Sequence, residues 1–340
     1  MRVSGARAGF MLAALLALPS ATQPVRADDG DDAAGDALAI HIRTVAPRVS
    51  PWGDLLVKLA ARIKRDTLTA IAPRIDWESK SEAGLVKLCQ QGKVGGILVS
   101  FGALAAAVPE LDALELPFLF DGYAAVDRAL RSATPLIKRL MLERGFVLGM
   151  RSEFGFRHVA TTAAPAVAPG DFTGVALRAH ASELAKDTLR ALGAVPMPLA
   201  VGEVAAALAR GDIGGYDHGL AFGRLLGWSA SIKHVTLSAH AYHGAVLAWC
   251  APWLDRLQPE LRAALVRSDD ALEAGALRVV RTFDDDFMPA AYASDGIVLR
   301  ALSAEERAAL RKALAPVAAK WRAAASPAAI ELLERLERRR

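Results

Sequence analysis

The feature that most limits how this chain can fold is an alternation of short apolar runs with amphipathic helical stretches, which runs once through the first third and restarts near the middle. Ala37 to Thr44 reads as a first strand and Val45-Ala46-Pro47 to Pro51 as a loop. Trp52, Leu55, Leu56, Leu59 and Ile63 then recur at helical spacing, with Ser50 as cap and Pro51 in the first turn, where its missing N–H costs nothing. Ile71 to Trp77 is a second strand, Glu82 to Gln91 a helix and Gly96 to Ser100 a third strand. Such β-α-β-α-β order predicts a parallel sheet with helices on its faces.

After a long helical bridge the pattern restarts. Val147 to Arg151 and Phe156 to Ala160 read as separate strands, followed by a strand at Val175 to Ala179 and a helix from Ser182 to Leu192. Val195 to Pro198 is a further strand, Gly202 to Arg210 a helix and Gly214 to Asp217 a short strand. The expectation is an α/β protein of two lobes joined by crossing strands, consistent with the roughly two domains that 340 residues suggest. From Pro259 onward the chain reads as nearly all helix, with a long helix near Leu261 to Phe287 and a capping box at Ser303-Ala304-Glu305-Glu306.

Residues 1–27 stand apart. Arg2 and Arg7 precede an apolar run from Phe10 to Leu18 that is too short to span a bilayer, and Val25-Arg26-Ala27 offers small residues for a signal peptidase. An exported, periplasmic protein, not membrane-embedded after cleavage, is expected. Loss of this segment removes Arg2, Arg7 and Arg26, so 41 basic groups become 38 against 37 acidic ones. The mature chain is almost neutral and has no basic block with interleaved aromatics, which argues against nucleic acid as a partner. Export permits a disulfide between the two cysteines, Cys89 and Cys250, but each lies in an apolar run where a small buried thiol is the more economical reading.

The chemistry concentrates between Phe156 and His218. Phe156-Arg157-His158-Val159 and Val175-Ala176-Leu177-Arg178 each deliver a guanidinium to a strand end, with Asp171-Phe172-Thr173-Gly174 as the turn between. Guanidinium forks grip a carboxylate through parallel charge-assisted hydrogen bonds, so a small organic anion is the expected ligand. The competing readings are ordinary: Arg178 as a surface residue paired with Glu183 or Asp187, and Arg157 as the partner of a domain-crossing carboxylate. His240 and His243 do not suit a metal at their spacing, and Asp284-Asp285-Asp286 reads as a solvated helical turn. No metal or cofactor is expected, and neither Gly-x-Ser-x-Gly nor a Walker loop occurs.

A set of local motifs carries a resemblance. Ala46-Pro47 with Ser50-Pro51-Trp52-Gly53, Gly92 leading to Ile97-Leu98-Val99-Ser100, Leu116-Pro117-Phe118-Leu119-Phe120 and Gly155-Phe156-Arg157-His158 occur in order. Gly174 through Leu177-Arg178, Ala191-Leu192-Gly193-Ala194, Pro196 to Pro198 and Gly202-Glu203-Val204 with Ala207-Leu208 follow. In this order and spacing the chain resembles the DctP-type extracytoplasmic solute receptors of TRAP transporters.

The resemblance implies a two-lobed, flytrap-like periplasmic binding protein with a helix-rich C-terminal region. It divides the chain into a signal peptide (1–27), a first lobe (28–150), a second lobe (151–236), a return to the first lobe (237–258) and connecting and C-terminal helices (259–340). Residue by residue it makes Arg178 the carboxylate anchor and Arg157 a second pocket arginine, aligns His218 with a ligand-contacting asparagine and Val201 with a stacking aromatic, and places Glu82 on a helix facing the cleft. Trp52, Tyr216 and Phe154 complete the candidate pocket. The implied partners are the small and large membrane subunits of a TRAP permease, and the implied state is a monomer, with a dimer as the alternative.

Gly95, Gly214 and Tyr216-Asp217-His218 depart from the family pattern, and Val201 removes an aromatic, so a bulkier or more apolar acid is the expected variation. The alternatives are a receptor of the same fold for a lipid or aromatic ligand, a ligand-binding partner of a periplasmic sensor and, most remotely, an exported hydrolase using His218 and Asp217.

Overall fold

The computed structural model describes residues 37–338, so the export segment expected at residues 1–27 lies outside the described residues. Nine strands form one mixed sheet: β1 Leu38–Thr44, β2 Ile71–Asp76, β3 Gly96–Ser100, β4 Phe146–Thr161, β5 Ala176–Ala179, β6 Val195–Pro198, β7 Gly215–His218, β8 His234–Cys250 and β9 Val298–Ala301. Their order is β2-β1-β3-β8-β4-β7-β5-β6, with β9 added alongside β8. β1 runs parallel to β2 and β3, and β5 parallel to β6 and β7, so each βαβ series read from the sequence builds its own parallel half. Every residue of β3 is buried, as expected where helices cover both faces of a parallel sheet.

The two halves are joined by β4 and β8, which are antiparallel and long enough to belong to both. The expected pair of strands around Arg151 and Phe156 is therefore one strand. Its ladder breaks where Glu153 pairs with Gly244 and Phe156 with Tyr242, leaving Phe154 and Gly155 in a bulge. Gly155 has φ +88°, and a Cβ there would lie 2.6 Å from Oδ2 of Asp284. Only glycine fits that conformation and that approach.

Helix Pro51–Asp66 begins as expected: Ser50 Oγ accepts from Gly53 N at 3.0 Å and Pro51 opens the first turn. The capping box is also present, with Glu306 N donating to Ser303 Oγ and Ser303 N donating to the Glu306 carboxylate. Among the described residues no helix is long and apolar enough to cross a membrane.

Three expectations need correction. The long helix near Leu261 to Phe287 is broken: Pro259–Val266 ends, Asp269 caps a new helix, Asp270–Thr282, and a π-helical turn, Phe283–Phe287, follows. The run Asp284 to Asp286 is not a solvated turn, because Asp284 is buried against the β4 bulge and accepts from Ala221 N at 2.6 Å. Burial pushes its carboxyl up to about 8, so it is largely protonated at neutral pH. The rest of the C-terminal region is nearly all helix as expected, with the one short strand β9 within it.

The cysteines are the third correction. Cys89, on helix Glu82–Gln90, and Cys250, at the end of β8, are disulfide-bonded with Cα atoms 5.1 Å apart and a sequence separation of 161. A closed loop of that length restricts the unfolded chain strongly, so the double variant Cys89→Ala, Cys250→Ala should lose about 3–5 kcal/mol in urea unfolding. An unchanged midpoint and slope would contradict a bridged native state.

Candidate ligand-binding site

The β4 bulge, the C-terminal ends of β5 and β7 and the middle of β8 bring together the residues that the two halves direct inward. Arg178 closes β5 and is only 2% exposed, so the surface pairing with Glu183 or Asp187 does not form. Those two acids pair instead with Lys186, Arg190 and Lys320. The Arg178 Nε donates to the carbonyl of Leu199 at 3.2 Å, and the guanidinium lies 5.4 Å from the ring centre of Trp228. Its Nη1 has no hydrogen-bond partner among the described residues. Burial lowers this guanidinium to about 10, and neighbouring Arg157 acts in the same direction, while Asp217, Glu82 and Glu115 oppose it. A buried cation with an unpaired donor is costly unless an anion completes it.

Arg157 is in a different situation. One nitrogen, Nη1, donates to the carboxylate and carbonyl of Asp217 at 3.2 and 3.3 Å, and Nη2 donates to Glu115 at 3.2 Å. All three side chains are buried. Burial would lower its basicity, but Asp217 and Glu115 hold it above the ordinary arginine value. Conversely, burial would raise Asp217, yet Arg157, with nearby His240 acting the same way, holds it well below the usual carboxylate range. Glu115 comes from the turn after β3 and Asp217 from β7, so Arg157 ties both halves together, which is the domain-crossing pairing weighed against a ligand role.

Glu82 makes a second link of this kind. Its carboxylate accepts from Ser100 N at 2.6 Å and Ser100 Oγ at 3.2 Å, and meets His180 Nε2 at 3.2 Å from the other half. Burial opposes its ionisation, but the hydrogen bond with His180 wins and keeps it below its ordinary value. Gly202 N also donates to the carbonyl of Lys80 at 3.2 Å, closing the halves along a third line.

Around Arg178 the remaining wall is aromatic. His218 stacks on Phe222 with ring centres 4.6 Å apart, stands edge-on to Trp228 at 5.5 Å and touches His243 at 4.5 Å. Phe154 packs against Phe222, His218 and His243. Burial, followed by the positive field of Arg157, drives His218 and His243 well below the ordinary histidine range, so both are neutral at physiological pH.

Of the expected site residues, the structure thus gathers Arg178, Arg157, Glu82, His218 and Phe154 in one cluster. Trp52 stands behind Phe154 at 5.2 Å, its indole N–H donating to the Glu153 carbonyl at 2.8 Å. Tyr216 packs on Trp228 and meets the Tyr292 hydroxyl at 3.3 Å, inside the half that carries Arg178. Val201 is buried in the turn Val201–Glu203 that follows Leu199, the carbonyl holding Arg178.

Sequence reasoning missed Glu115 and His180, and weighed His240 and His243 only as metal ligands. His240 Nε2 lies 3.5 Å from the Asp217 carboxylate and His243 Nε2 lies 3.9 Å from that of Glu115. Glu115 did carry a signal, as a lone acid within Leu114 to Phe118.

Comparison with known proteins decides the family. The family described as DctP, bacterial extracellular solute-binding protein, family 7, matches residues 42–324. The chain belongs to this family. A C4-dicarboxylate-binding periplasmic protein DctP of Rhodobacter capsulatus is 25% identical over 242 residues, covering 71% of this chain and 72% of that protein. Among solved structures, a sugar acid binding protein from Advenella mimigardefordensis in complex with galactonate superposes with a TM-score of 0.83 at 20% identity, covering 89% of this chain and 98% of that one. A TRAP periplasmic solute binding protein from Sulfurospirillum deleyianum with bound succinate gives a TM-score of 0.79 at 21% identity, covering 88% and 98%.

The DctP-type resemblance and the two-lobed α/β fold are thus established for this family 7 protein. The pair invoked by a hydrolase reading is not a catalytic dyad here: Asp217 is held by Arg157, while His218 Nδ1 accepts from Gly219 N at 2.9 Å.

Proposed function

We propose that this family 7 protein captures an organic carboxylate between its lobes, with Arg178 as the anchor, and delivers it in the closed form to the small and large subunits of a TRAP permease. The observation that carries the reading is the buried Arg178 guanidinium with Nη1 unpartnered among the described residues. A carboxylate oxygen placed there gains a charge-assisted hydrogen bond and relieves a buried cation at once. The names of the relatives support the ligand class, since a C4-dicarboxylate, galactonate and succinate are all organic acids.

Closure follows from the same groups. Glu82 with His180 and Arg157 with Glu115 join the two halves in the closed arrangement, and an acid touching both sides of the cleft favours it over an open one. A lipid or aromatic ligand would suit Phe154, Phe222 and Trp228 but would leave Arg178 unpaired, which disfavours that alternative. Export through residues 1–27 and assignment of lobes at 28–150, 151–236, 237–258 and 259–340 complete the reading.

The test is a thermal-shift screen of organic acids, each beside its neutral carboxamide. A bound acid at a hundredfold excess over its Kd should add about 2.7 kcal/mol of stability. The carboxamide should add almost nothing, and equal stabilisation by acid and amide would overturn the salt bridge.

A further inference from the structure

Three buried features of the cleft bear on which acid it accepts. First, Arg178 is the guanidinium of the cluster not already held by a carboxylate, with Nη1 unpartnered among the described residues, whereas both outer nitrogens of Arg157 are bonded to Asp217 and Glu115. Second, three carboxylates, Glu82, Glu115 and Asp217, are buried within the same cluster. Third, His243 on β8 is 1% exposed and neither of its ring nitrogens has a hydrogen-bond partner among the described residues. It touches His218, which stands against Trp228, over which Arg178 lies.

We propose that His243 is a specificity-determining residue which, with Arg178, fits the cleft to an acid carrying one carboxylate and a neighbouring hydroxyl or carbonyl group, and that a second carboxylate is rejected. This rests on the carboxylate reading above and narrows it. A neutral imidazole presents one donor and one acceptor, matching a hydroxyl or carbonyl and offering no charge to a second carboxylate. Such a second carboxylate would enter a dry space beside Glu82, Glu115 and Asp217 with no free cation to meet it, and like charges in a poorly screened interior repel strongly. A ligand hydroxyl also completes a polar side chain whose burial otherwise costs stability.

His243 faces groups on several elements. Glu115 approaches from the turn after β3, His180 from the end of β5, His218 from β7 and Phe154 from the β4 bulge, while Arg157 and Arg178 add their positive field. Burial first, and then the positive field of Arg157, keeps the imidazole neutral, so hydrogen bonding rather than charge is what it contributes.

The experiment is calorimetric titration of the mature protein with glycerate, lactate, pyruvate and galactonate as hydroxy or keto monocarboxylates, propanoate as the plain acid, and succinate and malate as dicarboxylates. The hydroxy or keto acids should bind at least about tenfold more tightly than the dicarboxylates. His243→Leu should weaken the hydroxy or keto acid by about tenfold or more, leave propanoate within about twofold, and not lower the melting temperature of the unliganded protein. His243→Gln, which keeps a donor and an acceptor, should recover part of the loss.

If His243→Leu weakens every acid equally and lowers the melting temperature, the residue is structural and the inference fails. Dicarboxylates that bind as tightly as the monocarboxylates, yet lose affinity in Arg178→Met, overturn the inference and leave the carboxylate reading standing. Binding that ignores Arg178→Met, or no binding by any acid, overturns both.

Discussion

Replacing Arg157 with methionine should destabilise the protein by about 3–5 kcal/mol, the cost of removing one member of a buried ion network and stranding the others. Arg157 holds Asp217 and Glu115 together across the two halves, and all three side chains are buried. Without the guanidinium, two buried carboxylates lose the cation bonded to them and keep only the field of Arg178, which bonds to neither. The cost should shrink when a stranded acid is neutralised as well, so Arg157→Met with Asp217→Asn should be less damaging than the two single changes added together. Urea unfolding of the unliganded protein measures this directly. A loss below about 1 kcal/mol would show that the network is solvated and would remove Arg157 as a structural tie.

Arg178 should behave in the opposite way. Arg178→Met is expected to lower affinity for the bound acid by about a hundredfold or more, since truncating one partner of a buried charge pair costs about 2–5 kcal/mol. Stability of the unliganded protein should hold or rise. The guanidinium makes one bond, to Leu199, leaves Nη1 unpaired and is pushed down to about 10 by burial, so its charge is a burden to the empty fold. A group whose native state resists protonation favours the unfolded chain wherever it must stay charged. Titration calorimetry and melting curves on the same variant separate the two effects, and parallel losses of affinity and stability would mark Arg178 as structural.

The contrast between these arginines shows what the sequence could convey. Both stood out as charges at the ends of apolar runs, but their partners lie 42 and 60 residues from Arg157 and 21 from Arg178, and only the fold reveals which guanidinium is saturated. The first βαβ series was legible because periodicity, the Ser50 cap and Pro51 all agree locally. β4 was not, because Glu153 to Gly155 looks like a strand end, and its continuity is supplied by pairing with β8. The break after Val266 was hidden because apolar residues continue at helical spacing through it. The disulfide was out of reach for the same reason as the Arg157 network: no local pattern reports proximity across 161 residues. His243 lies in a β8 segment of aromatic and small residues, where an imidazole is ordinary core until its neighbours are known.

The correction at Asp284 concerns motion. Asp284 packs beneath Gly155 at the bulge joining the halves, and Arg281, one turn earlier, binds both Asp127 and Glu153 while lying over the Tyr123 ring. The broken helix therefore grips the crossing strand at the bulge, the place where the proposed closure would be absorbed, and a broken helix suits a hinge there better than one continuous rod would.

The most direct measurement of the central claim is a crystal structure of the protein with the acid that binds it most tightly in titration. A ligand carboxylate oxygen should lie within ordinary hydrogen-bond distance of Arg178 Nη1, with Arg157 still bonded to Asp217 and Glu115. A carboxylate seated elsewhere, with Nη1 of Arg178 still unpaired, would contradict it.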